Sequence, residues 1–117
     1  MLIVDDDPAV GRSMARMVGP DATVLVAASG AEALEWIERG ERFDLVLCDV
    51  MMPGMTGPQL FDRVRALDPA TAATFTFMTG GAPPDERAHV QATGARCLAK
   101  PVELAAIRLL LKERDPS

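Results

Sequence analysis

The sequence predicts an α/β fold, a (βα)₅ domain with a doubly wound, five-stranded parallel sheet. Short apolar runs alternate along the chain with segments whose apolar residues recur at helical spacing. Glycine and proline stand at many of the junctions between these segments. The 117 residues are enough for one domain with a core and too few for two, so we expect a single domain over residues 1–117.

The apolar runs are the predicted strands. The central run shows no alternation of apolar and polar residues, so we expect that strand to be buried on both faces. Asp49 follows it directly, ahead of a loop in which Gly54 and Gly57 permit a tight turn. The five predicted strands are residues 1–4, 22–27, 43–48, 74–78 and 96–99.

Helices are predicted between and after the strands. Asp7-Pro8 is typical of a helix start, whereas Gly19-Pro20, Gly40 and Asp68-Pro69 are typical of helix ends. The apolar stripes are Val10, Met14, Met17 and Val18, then Ala31, Leu34 and Ile37, then Leu60, Val64 and Leu67, and finally Leu104, Ile107 and Leu111.

The fourth predicted helix differs from the others. Pro83 and Pro84 open it and Gly94 ends it, but its apolar content is low. We therefore expect it to be the least firmly packed helix and the easiest to shift. After the last helix, residues 113–117 are expected to fray.

Composition excludes several classes of protein. Hydrophobic residues make up 49% of the chain without a run long enough to cross a bilayer, so we expect no membrane insertion. The start lacks the pattern of a signal peptide, which predicts a cytoplasmic location. A net charge of −5 with 12 scattered basic residues argues against direct nucleic acid binding. Cys48 and Cys97 lack the spacing of a zinc site, and we expect free thiols.

Polar residues follow four of the five predicted strands. Ligands of such sheets bind beyond the carboxyl ends of the strands, where the connecting loops meet. The residues at these ends are Asp5, Asp6 and Asp7 after the first strand, Asp49 after the third, Thr79, Gly80 and Gly81 after the fourth, and Lys100 and Pro101 after the fifth.

This set of side chains indicates phosphoryl chemistry. Carboxylates at adjacent strand ends repel one another, so either their pKa values rise or a hard cation such as Mg²⁺ joins them. Lys100 and the Thr79 hydroxyl suit a phosphoryl group. Asp49, at the end of the central strand, is the expected nucleophile. Asp6 is the better placed metal ligand, and Asp7 is expected to cap the first helix.

Enzyme classes with similar elements fit poorly. A P-loop hydrolase needs GxxxxGK[ST], but Lys100 and Lys112, the only lysines, are followed by Pro and Glu. A dinucleotide-binding module needs GxGxxG after the first strand, and a haloacid-dehalogenase-like phosphatase needs a second acid where Met51 stands. We therefore expect a phosphoacceptor rather than an enzyme.

Four segments carry a family resemblance. "LIVDDDP", "DLVLCDVMMPGMTG", "FMTGG" and "LAKP" resemble, in this order, the motif regions of the receiver domain of two-component response regulators. The resemblance covers essentially the whole chain and implies a flavodoxin-like sheet with strand order 2-1-3-4-5. It implies that Asp49 accepts a phosphoryl group from a phosphohistidine of a sensor histidine kinase or a histidine phosphotransfer protein.

The resemblance also implies further roles in the site. Mg²⁺, for which Mn²⁺ can substitute, would be held by Asp5, Asp6, Asp49 and the backbone carbonyl of Met51. Thr79 and Lys100 would bind the phosphoryl group, supported by Gly80 and Pro101. Phosphorylation would then rearrange the face formed by the fourth helix, the fifth strand and the fifth helix, through which receivers also pair weakly as homodimers.

Three features set this chain apart within the resemblance. Cys97 stands where receivers usually carry an aromatic switch residue, which leaves open a pseudo-receiver used only for docking. "FMTGG" resembles receivers of hybrid sensor kinases. Met51 and Gly81 lack side chains that could orient a hydrolytic water, so we expect slow dephosphorylation.

Overall fold

Five parallel strands form one sheet in the order β2-β1-β3-β4-β5, which confirms the predicted α/β fold and strand order. The computed structural model describes residues 1–19 and 22–114. Parallel pairing places Ile3 beside both Val26 and Leu47, so β1 lies between β2 and β3. The strands are β1 (Leu2–Val4), β2 (Leu25–Ala27), β3 (Val46–Asp49), β4 (Phe75–Thr79) and β5 (Arg96–Ala99).

Strands β1 to β4 begin later than the apolar runs that predicted them, whereas β5 begins at Arg96 as predicted. Phe43 and Leu45 are buried although β3 begins only at Val46. A residue can be buried without pairing in the sheet, and an apolar run predicts only the burial. At the other end, β3 and β4 each extend one residue further than predicted and include Asp49 and Thr79.

Six helices are found in the part of the chain that the structure describes, one more than predicted. The extra element is a single turn that starts immediately after Asp68, a residue that accepts a hydrogen bond of 2.6 Å from the Thr71 hydroxyl. Asp68-Pro69 therefore both ends one helix and begins the next. The helices are α1 (Pro8–Val18), α2 (Gly30–Glu38), α3 (Gly57–Leu67), α4 (Pro69–Ala72), α5 (Pro84–Thr93) and α6 (Leu104–Arg114).

Side-chain caps explain where α1 and α3 begin. Asp7 caps α1 by accepting a hydrogen bond from the Ala9 amide, as predicted. Thr56 and Gln59 form a reciprocal capping box at α3. Residues 113 and 114 continue α6, whereas Pro20 of the predicted helix end and residues 115–117 of the predicted frayed tail lie outside the described residues.

The core has two layers, one on each face of the sheet. Val46 and Cys48 of β3 pack with α2, α3 and α5, whereas Leu47 packs on the opposite face with α1 and α6. All four residues of β3 are buried, which confirms that the central strand is covered on both faces. Because it is enclosed in this way, the carboxyl end of β3 is held rigidly.

The packing of α5 is thin, as its composition predicts. Val90 is the one buried residue of α5, whereas α3 buries five. Gly94 ends α5 with a φ of 75°, a left-handed conformation that favours glycine. Within residues 1–19 and 22–114, no helix is long and apolar enough to cross a membrane.

Candidate functional site

The residues singled out at the strand ends meet at one edge of the sheet. Asp49 is the last residue of β3, Thr79 is the last residue of β4, and Asp5 directly follows β1. Because β3 pairs with both β1 and β4, these three residues come from neighbouring strands. Lys100 follows β5, and its amide donates a hydrogen bond of 2.8 Å to the Thr79 carbonyl.

Three carboxylates form a compact cluster. One carboxylate oxygen from each of Asp5, Asp6 and Asp49 lies within 4.8 Å of the other two. Asp5 and Asp49 are buried, with 1% and 7% of their surfaces exposed, whereas Asp6 faces solvent. Asp7 serves the α1 cap instead, and its own amide donates a 2.9 Å hydrogen bond to Asp5 Oδ1.

Lys100 supplies the positive charge of this cluster. Its Nζ lies 3.1 Å from Asp49 Oδ2 and 3.2 Å from Asp5 Oδ2. Burial raises the pKa of Asp49, the contact with Lys100 lowers it, and the charges of Asp5 and Asp6 raise it, with a net shift upward. Burial alone would lower the pKa of Lys100, but its contacts with Asp49 and Asp5 raise it. One ammonium group thus partly compensates three acids.

Thr79 connects the site to the loop before α5. Its hydroxyl oxygen accepts hydrogen bonds of 3.2 Å from the amides of Gly81 and Ala82. The side chain is half-buried, and the chain passes from Thr79 into α5 within five residues. A rotation of this hydroxyl would therefore release two amides at the start of that loop.

The loop between β3 and α3 fits tightly beneath Asp49. The Gly57 amide donates a 2.9 Å hydrogen bond to the Val50 carbonyl. A Cβ atom at Gly57 would lie 2.4 Å from the Asp49 carbonyl oxygen, a distance that real Cβ atoms do not show. The sequence suggested a turn role for this glycine, and its backbone contact with Asp49 was missed.

The remaining predicted site residues lie around this centre. Met51, two residues after Asp49, is 45% exposed. Gly80 is exposed, and a Cβ there would lie 3.9 Å from the Lys100 Cβ. Pro101 follows Lys100 through a cis peptide bond.

Cys97 borders a cavity instead of filling it. The cavity, of about 200 Å³, is also lined by Thr79 and Val90. All four phenylalanines are buried elsewhere in the core, so none of them occupies it. Cys97 and Cys48 are both free thiols, as expected, and burial raises the pKa of each.

An apolar groove opens beside Lys100 on the opposite face of the sheet. We call it the α1 groove; its volume is about 570 Å³. The apolar stripe of α1 alone could not predict which residues line this groove, because one wall comes from the segment between β5 and α6. It is lined by Ala9, Val10, Ser13, Met14, Met17, Met78, Lys100, Pro101 and Val102.

Comparisons with known proteins agree with this geometry. The family model of the response regulator receiver domain matches residues 1–112. The transcriptional regulatory protein GlrR of Escherichia coli is 34% identical over 108 residues, which are 92% of this chain and 24% of that protein. The virulence sensor protein BvgS of Bordetella pertussis is 35% identical over 95 residues, covering 76% of this chain and 8% of that protein.

A solved structure extends the likeness to three dimensions. The CheY-like response regulator receiver domain protein of Methanospirillum hungatei has a TM-score of 0.85 at 31% identity, covering 97% of this chain and 90% of that one. The present chain spans only a small part of the length of the two curated relatives. The match to the family model and these likenesses show that the chain belongs to the family of response regulator receiver domains.

Proposed function

We propose that this receiver domain is a phosphoacceptor in which Asp49 takes a phosphoryl group from a phosphohistidine of a sensor histidine kinase or a histidine phosphotransfer protein. The observation that carries the proposal is the position of Lys100 Nζ, within 3.2 Å of both Asp49 and Asp5 in a cluster of three acids. A lysine held against the nucleophile is placed to contact the oxygens of an incoming phosphoryl group.

The acid cluster suits Mg²⁺, with Mn²⁺ as a substitute. Its three carboxylates offer the oxygen ligands that this ion prefers. Burial is the main cause that raises the pKa of Asp49, and the charges of Asp5 and Asp6 add to the rise, so a cation bound here would favour the ionised carboxylate. Asp5, Asp6, Asp49 and the Met51 carbonyl are the proposed ligands. When bound, the ion would neutralise charge on the phosphoryl oxygens.

The transfer itself uses the chain's own residues. The ionised carboxylate of Asp49 forms a bond to phosphorus, and the bond between phosphorus and the donor's imidazole nitrogen breaks, its electron pair returning to the imidazole. Lys100 keeps its contact with Asp5 and exchanges the carboxylate of Asp49 for a phosphoryl oxygen. Thr79 turns its hydroxyl toward another phosphoryl oxygen.

The movement of Thr79 is the proposed link to the output surface. Turning the hydroxyl removes the acceptor of the Gly81 and Ala82 amides, which must then find other partners. The loop leading to α5 therefore shifts, and with it the face formed by α5, β5 and α6. This face would be read by a downstream partner and would also carry any weak homodimer.

The acyl phosphate should persist, and the domain is not expected to be an enzyme. Met51 is exposed beside the site but has no group that can orient a water molecule, and Gly81 has no side chain. Slow self-dephosphorylation is the remaining chemistry. We place the domain in the cytoplasm, with proteins rather than nucleic acid as its direct partners.

The α1 groove is the proposed docking surface for a helix of the phosphodonor protein. Lys100 belongs both to the groove and to the acid cluster, so a donor seated there stands next to Asp49.

Intact mass spectrometry after incubation with acetyl phosphate and Mg²⁺ tests the proposal. We expect a single phosphoryl adduct on the wild type and on Asp44→Asn, a variant that removes an exposed acid outside the cluster. Asp49→Asn should remain unmodified. An adduct that survives Asp49→Asn, or no adduct on the wild type, would refute the phosphoacceptor role and leave a docking module.

A further inference from the structure

Two side chains of α5 attach it to its neighbours by different chemistry. Val90 is buried in the core layer that includes α3. The adjacent residue, His89, places its Nε2 2.8 Å from Asp62 Oδ2 on α3. Because the apolar attachment of α5 is so small, this polar contact makes up an unusually large share of what holds the helix.

Space for movement lies on the other side of α5. The cavity that Cys97 borders is also lined by Arg87, Val90 and Gln91, so it extends beneath the face of α5 that looks toward β5. Its volume of about 200 Å³ is far above the roughly 10 to 15 Å³ that one water needs. Movement of α5 toward β5 would therefore break the contact with Asp62 on α3 and bring the helix into the cavity.

We propose that Asp62 and His89 are positioning residues that form a clasp, holding α5 against α3 until phosphorylation of Asp49 draws the helix toward β5. The inference rests on the proposed function, because the clasp would add to the free energy needed for the movement of α5 that phosphorylation requires. Thr79 lines the same cavity and begins the loop that leads to α5, so the two ends of the movement are physically continuous. If the clasp stabilises the position of α5 before phosphorylation, then weakening the clasp must favour the position that phosphorylation stabilises. Phosphorylation should therefore be easier in variants that lack the clasp.

Other charged side chains lie near the two partners of the clasp. On the neighbouring edge strand, Arg96 pairs with Glu113 of α6. The charged residues within one helical turn of the two partners are Arg63 and Arg65 on α3 and Asp85, Glu86 and Arg87 on α5. Variants of Asp62 and His89 therefore need a control for general effects of charge.

Four variants separate the clasp from general effects of charge. Asp62→Asn and His89→Gln each remove the ion pair, and the double variant closes the cycle. His89→Lys keeps a positively charged side chain opposite Asp62. Glu38→Gln is the matched control, since it removes an exposed acid from α2, a helix that contributes neither partner of the clasp.

Amide hydrogen exchange of α5 in the unphosphorylated domain measures the clasp directly. We expect Asp62→Asn and His89→Gln to speed exchange across α5 by about two- to fivefold, the range open to an exposed ion pair, with no further gain in the double variant. The rate of adduct formation from acetyl phosphate, relative to Glu38→Gln, should rise by a similar factor. His89→Lys, which keeps a cationic partner for Asp62, should retain most of the wild-type protection of α5.

Unchanged exchange in the single variants, or additive effects in the double variant, would overturn the proposal. Faster exchange without a faster phosphorylation rate would also overturn it, because the clasp would then not oppose the movement. If no variant accepts a phosphoryl group, the proposed function fails, and the exchange data still decide whether the clasp holds α5.

Discussion

Replacing Lys100 by Met tests the electrostatics of the site most directly. The substitution keeps an unbranched chain but removes the ammonium group that lies 3.1 Å from Asp49 and 3.2 Å from Asp5. Asp5 is 1% exposed, so its carboxylate loses a charged partner that water cannot replace. It retains the hydrogen bond from the Asp7 amide.

The expected loss of stability follows from this burial. Breaking a fully buried ion pair costs about 3 to 5 kcal/mol. The Lys100 side chain is 28% exposed and Asp6 faces solvent, so about half of that, roughly 2 kcal/mol, is expected near neutral pH. This corresponds to a fall of about 1 M in the midpoint of urea unfolding. Trp36, the single tryptophan, packs against the core and can report the transition by its fluorescence.

The loss of stability in Lys100→Met should depend on pH and on Mg²⁺. A carboxyl with a raised folded pKa binds protons more tightly in the folded state, so lowering the pH from above that pKa toward the ordinary value stabilises the fold. Loss of Lys100 removes an influence that lowers the pKa of Asp49, so the difference in free energy of unfolding between Lys100→Met and the wild type should narrow as the pH is lowered toward the ordinary pKa of an aspartate. Millimolar Mg²⁺ should stabilise the variant more than the wild type.

Lys112→Met is the matched control for this experiment. It removes the other lysine of the chain from an exposed position on α6 and should leave the midpoint unchanged. A Lys100→Met domain as stable as the wild type at pH 8, or one that gains no more from Mg²⁺, would show that the ammonium group does not compensate the acids.

Four further outcomes are expected. Gly57→Ala would place a Cβ 2.4 Å from the Asp49 carbonyl oxygen, so it should cost about 1 to 3 kcal/mol in urea unfolding and slow phosphorylation; a neutral result would contradict the close contact. The rate of adduct formation from acetyl phosphate should begin to fall, as the pH is lowered, above the ordinary pKa of an aspartate, because burial raises the pKa of Asp49; a flat profile down to pH 4 would argue against it. Met51→Asn should speed the loss of the phosphoryl group about tenfold, less than an ideally placed base achieves, as measured by intact mass after removal of the donor. Met17→Glu in the α1 groove should impair transfer from a phosphohistidine protein but not from acetyl phosphate, and equal loss with both donors would exclude a docking role.

Periodicity and punctuation predict most of this fold. The five strands and the two-sided burial of β3 are found, because parallel strands that are covered by helices have a strong apolar signature. Their order follows from the family resemblance and is also found. The α4 turn was missed because Asp68 and Pro69 carry the same local signal whether a helix stops there or a new one starts. Strand starts were misplaced where burial begins before pairing, as at Phe43 and Leu45.

The sequence predicted the acid cluster of the site but not all of the contacts around it. Residue type and strand order are enough to bring Asp5, Asp6 and Asp49 together, since parallel strands end at one edge. The contact of Gly57 with the Asp49 backbone depends on how closely α3 approaches β3, which one sequence does not encode locally. The contact between His89 and Asp62 joins residues 27 positions apart on two exposed helix faces, where no periodicity marks a partner.

The contacts of the site indicate how a phosphoryl group on Asp49 would switch the domain under the proposed function. Lys100 already occupies the place of a cation beside Asp49, and Thr79 already accepts two hydrogen bonds from its own loop. Phosphorylation would therefore exchange partners rather than add contacts to empty groups, so the two states differ by small free energies. A helix with one buried residue and an exposed contact between His89 and Asp62 is an element that such small differences could move. If the switch works as proposed, a variant that fills the cavity beside Val90 should hold one state and lose the response.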